Sequence, residues 1–70
     1  MLKVVEVLAD SFKSFEDAAQ IAVTKASESV RNIKSICIKD MNATVENSKI
    51  VSYRVNAKLG FLPEDQLAGG

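Results

Sequence analysis

The chain has no histidine and no tryptophan, a single cysteine (Cys37) and a single proline (Pro63) in 70 residues. Without histidine the commonest general base is missing, and so is the usual kind of zinc site. One cysteine rules out a disulfide within the chain, and a lone reduced thiol suits the cytoplasm. Glycine occurs only at Gly60, Gly69 and Gly70, so no glycine-rich phosphate loop exists. Charge of one sign is also lacking: nine Lys and Arg balance nine Asp and Glu. That neutrality argues against nucleic acid as a partner, since such affinity rests on excess positive charge. No run of about 18 apolar residues is present, so no membrane span is expected. Lys3 and Glu6 place charge too early for a secretory leader.

What the chain does have is apolar surface out of proportion to its size. Hydrophobic residues make up 47% of it, yet a chain this short buries only about 60% of its unfolded surface. With an intrachain disulfide impossible and a zinc site of the usual kind not expected, self-association is the remedy left to complete a core. The expected unit is one soluble, cytoplasmic domain over 1–70, with 63–70 as a tail beyond the fold.

Periodicity sets the elements. Leu2 to Leu8 reads as a strand, bounded by a polar turn at Ala9-Asp10-Ser11. Ser14 is placed as a helix N-cap, with Glu16 and Asp17 facing the positive helix end. Phe15, Ala18, Ala19, Ala22, Val23, Ala26 and Val30 follow at helical spacing. Four alanines make that face thin, so a sheet can approach it closely. Ile21 is an apolar exception on the polar side, either incidental or part of a subunit contact.

Ile33 to Glu46 reads as a strand whose alternation breaks, Ile36 and Ile38 having one parity and Met41, Ala43 and Val45 the other. Either a bulge near Lys39-Asp40 shifts the phase, or the two halves bury opposite faces. Asn47-Ser48 suits a tight two-residue hairpin. The last strand alternates almost without fault: Val51, Tyr53, Val55, Ala57, Leu59 and Phe61 on one face, Ser52, Arg54, Asn56 and Lys58 on the other. The resulting class is α+β, in the order β-α-β-β. The hairpin-paired last strand lies in the middle of the sheet, and the crossover is right-handed.

No catalytic constellation emerges. The acidic residues are scattered; Asp40, beside the suspected bulge, reads as a surface carboxylate, and Cys37 between Ile36 and Ile38 as a buried, inert thiol. The better candidate surface is the polar row of the last strand, with Arg54 and Lys58 flanking Asn56. It is either a solvated face that discourages edge pairing or a row of donors for a ligand held between subunits.

Several segments together resemble the dodecin family: Lys3-Val4-Val5-Glu6-Val7, Ser14-Phe15-Glu16-Asp17-Ala18, Val30-Arg31-Asn32-Ile33, Tyr53-Arg54-Val55 and Lys58-Leu59-Gly60-Phe61. The resemblance implies a three-stranded antiparallel sheet partly wrapped around one helix, and a homododecamer forming a hollow shell. It implies a non-catalytic storage protein for flavins such as riboflavin and FMN. The family's stacking tryptophan falls on Ser35 and its ring-edge glutamine on Arg54, so both positions are substituted. The candidate ligand-binding residues are therefore Ser35 and Arg54, with Lys34 and Asn56 beside them, at subunit interfaces. The alternative is a flavin-free shell with an ion-binding or purely structural role, its metal unspecified.

Overall fold

A computed structural model describes residues 2–63. It contains β1 (Lys3–Ser11), α1 (Phe15–Ser27), β2 (Ile33–Glu46) and β3 (Lys49–Phe61). The sheet order is β1-β3-β2, with both outer strands antiparallel to β3. The central place of β3 and the β-α-β-β order agree with the periodicity.

The helix begins where its cap chemistry says it should. Ser14 is extended (φ −170°, ψ 167°) and its Oγ accepts from the Asp17 backbone N–H at 2.9 Å. Glu16 and Asp17 occupy the first turn and Lys25 the last, each matching the sign of the helix dipole at its end. The helix stops at Ser27, before Val30. Asn32 then takes a positive φ of 61°, and its amide donates to the Leu62 carbonyl at 3.2 Å while its own carbonyl accepts from Leu62 N–H. Those two bonds tie the start of β2 to the end of β3.

Strand β1 is longer than its apolar run. Ala9-Asp10-Ser11, expected as a turn, continues the ladder to Ser11. Ala9 and Ser11 are buried under the helix, and Asp10 on the opposite face sits directly across from Arg54.

The break in β2 is a bulge. Ile38 pairs with Ala57 and Asp40 with Asn56, leaving Lys39 as the extra residue. Ile36, Ile38, Met41 and Ala43 thereby all pair with helix-side residues of β3, although their parity changes. A similar shift makes Lys34 the extra residue between Ile33 and Ser35. A third leaves Val51 unpaired on β3, so the clean alternation of that strand begins at Ser52 rather than Val51. The hairpin is the tight one expected, with Asn47 and Ser48 both at positive φ (51° and 63°).

The core is thin. Ala18, Ala22 and Ala26 of α1 are buried against the sheet, and Leu59 and Val55 are the largest fully buried side chains. The helix lies over β1 and β3 and barely reaches β2. A 13-residue helix is about 20 Å long, whereas the protomer extends 54 Å. The far hairpin is therefore bare of any lid, with Met41 57%, Val45 59% and Ile50 52% exposed. Its radius of gyration, 14.3 Å, exceeds the roughly 11 Å of a compact chain of this length. Among the described residues no helix is long and apolar enough to cross a membrane. Of the expected tail, only Pro63 falls within the described residues.

Candidate ligand-binding face

Directly opposed residues of an antiparallel pair share a face, so the register assigns the side of the sheet away from the helix. It carries Arg54, Asn56, Lys58 and Gly60 from β3, Glu6, Leu8 and Asp10 from β1, and Ser35, Cys37, Asp40 and Asn42 from β2. Cys37 is exposed in the protomer, correcting its expected burial. Regular strand alternation sets it across from Lys58 on the polar side, while its neighbours Ile36 and Ile38 face the helix side. Asp40 pairs with Asn56 on the same face, and Lys39 Nζ reaches Glu6 Oε1 at 4.0 Å.

Ser35 and Arg54, both on this face, lie at opposite ends of it. Ser35 pairs with Gly60, and its hydroxyl lies so close that a Cβ at Gly60 would sit 2.6 Å from it. Arg54 is six residues back along β3, about 20 Å away at strand rise. Asn56 is two residues from Arg54, between Leu8 and Asp40. Lys34 is the extra residue beside Ser35. One chain thus groups Ser35 with Lys34, and Arg54 with Asn56, but does not join the two groups.

The residues around Ser35 do not supply a stacking surface for a flavin ring. The chain has four aromatic side chains. Phe15 and Tyr53 pack edge to face at 5.0 Å between ring centres, engaged with each other beneath the helix. Phe61 is half-buried and pairs across the sheet with Lys3 and Ile33. Only Phe12 is free, and it lies at the Arg54 end.

There the structure forms a polar concavity of about 190 Å³ lined by Asp10, Phe12, Asn42, Thr44, Ser52 and Arg54. Arg54 Nε donates to Asp10 Oδ1 at 2.7 Å and Nη2 to Oδ2 at 3.5 Å. The Arg54 hydrogen bond holds the Asp10 carboxyl below the usual carboxylate range, against an opposing desolvation effect. The same bond raises Arg54 above its ordinary value. Asp10 and Phe12 were not among the residues singled out from sequence. Asp10 gave no local signal, since its partner is 44 residues away. Phe12, a lone aromatic within Ser11-Phe12-Lys13-Ser14, was visible. A larger hollow of about 320 Å³ between β1 and the end of α1 is lined by Val5, Val7, Leu8, Ala26 and Val30 together with Glu6, Lys25 and Ser29. No three His, Cys, Asp or Glu side chains converge on a metal position among the described residues.

Comparison with known proteins follows the same lines. A dodecin from Streptomyces coelicolor is 28% identical, with 87% of each chain covered and a TM-score of 0.80. A single-substitution variant of the Thermus thermophilus dodecin is 26% identical over 87% of this chain and 91% of that one, with a TM-score of 0.81. The dodecin of Streptomyces davaonensis, 18% identical over 87% of this chain and 90% of that one at a TM-score of 0.80, shows the shared fold alone. No curated protein sequence matches. The dodecin family model spans residues 1–64, nearly the whole chain; with a helix on a three-stranded antiparallel sheet of the same topology, this chain belongs to the dodecin family.

Proposed function

We propose that this chain is a non-catalytic binding and sequestering protein that takes a flavin or a similar planar ligand at the junctions between its own copies. Dodecins as a family are small, multimeric, flavin-binding proteins, and the family match over residues 1–64 supports the reading. The observation that carries the reading is the roughly 20 Å between Ser35 and Arg54 on one sheet face. One ligand can touch both positions only if different copies provide them.

The test is a titration of riboflavin and FMN, following flavin fluorescence. Quenching that saturates supports the reading. Ser35→Trp should then raise affinity by about tenfold, because a ring beside Gly60 restores a stacking surface there. Flavin fluorescence unchanged by the assembled wild-type protein overturns it. That result would favour a flavin-free shell, a reading supported by the missing ring at Ser35 and by the Asp10 carboxylate on the Arg54 fork.

A further inference from the structure

Phe12 is 86% exposed, the barest large apolar side chain described, yet its backbone is anchored on both sides. Ser11 is buried; its hydroxyl donates to Asp17 Oδ2 at 2.6 Å and accepts from Lys13 N–H at 2.9 Å. Two residues on, Ser14 caps the helix. The bend that presents Phe12 is thus fixed at either end, and the ring stands at the rim of the concavity that holds Asp10, Arg54 and Asn42. A presented aromatic exposes apolar area that water does not reward. Beside it, Arg54 keeps N–H donors beyond the two directed at Asp10, and Asp10 keeps acceptor lone pairs. A donor next to an acceptor, with an aromatic side chain in the same lining, matches a planar heterocycle whose edge shows a carbonyl beside a ring N–H.

We propose that Phe12 provides the stacking surface and that the Asp10–Arg54 pair reads the ring edge, Arg54 donating to the carbonyl and Asp10 accepting from the N–H. This rests on the ligand-binding reading above, to which Arg54 already belongs, and adds Phe12 and Asp10 to it. The pair has no net charge, so the favoured ring is neutral.

The test uses the assembled full chain with riboflavin and with riboflavin methylated at its ring-edge N–H. Phe12→Ala should weaken riboflavin about tenfold and Phe12→Trp should retain or tighten it. Methylation should weaken binding to the wild type several-fold, and lose that effect in Asp10→Ala. Riboflavin affinity unchanged in Phe12→Ala, or a methylated ring bound as tightly as riboflavin, overturns the inference while leaving the broader reading standing. Smaller particles from Phe12→Ala in sedimentation also overturn it, because Phe12 then belongs to a subunit contact. No binding of riboflavin by the wild type defeats both proposals together.

Discussion

Asp10 and Arg54 face one another across β1 and β3 with both side chains more than half exposed, so their attraction is screened by water and contributes little to stability. Its consequence is directional and local. A carboxyl held below its unfolded value contributes stability above the ordinary carboxylate range, and loses it as pH falls through the depressed folded value. Asp10→Asn should therefore leave neutral-pH unfolding almost unchanged and flatten the loss of stability below about pH 4. Thermal unfolding across acid pH checks this; identical acid profiles for the two proteins would remove the pair's role. Ser48, at φ 63°, shows another residue-scale compromise, since the tight hairpin needs positive φ at both central positions and serine adopts it at a cost.

At the scale of elements, the alanine stripe of α1 sets how closely helix and sheet approach. Ala18 and Ala22 are wholly buried against Ala9 and Val55, leaving no room for a larger side chain without pushing the layers apart. Ala22→Leu should cost on the order of 1–3 kcal/mol by overpacking. Denaturant unfolding measures it, and a variant as stable as the wild type would show that the layers can separate freely. The bulge at Lys39 matters as much. It keeps Ile36, Ile38 and Met41 on one side of β2 and hands Asp40 and Asn42 to the other, which builds one wall of the polar face. Sequence periodicity registered the break, but both a bulge and a change of buried face produce the same parity switch.

For the molecule as a whole, a 20 Å helix on a 54 Å protomer cannot bury the sheet it belongs to. Ile36 and Ile38 on β2, and Met41, Val45 and Ile50 toward the hairpin, are left as apolar surface, more than a lone soluble protomer keeps without a partner. We expect the homododecamer the family implies. Sedimentation should find a particle near 91 kDa (12 × 7.6 kDa), and a stable 7.6 kDa species at micromolar concentration would refute it.

Element order, the Ser14 cap and the hairpin were readable from sequence because each depends on neighbours within a few residues: a period, a cap, a turn. Ser35 and Arg54 could be placed on strands for the same reason, but not relative to each other. The length of β1, the exposure of Cys37, the unpaired Val51 and the meeting of Asp10 with Arg54 belonged to the tertiary structure alone. Each depends on register between strands far apart in the chain, and a one-residue slip in register moves a side chain to the opposite face.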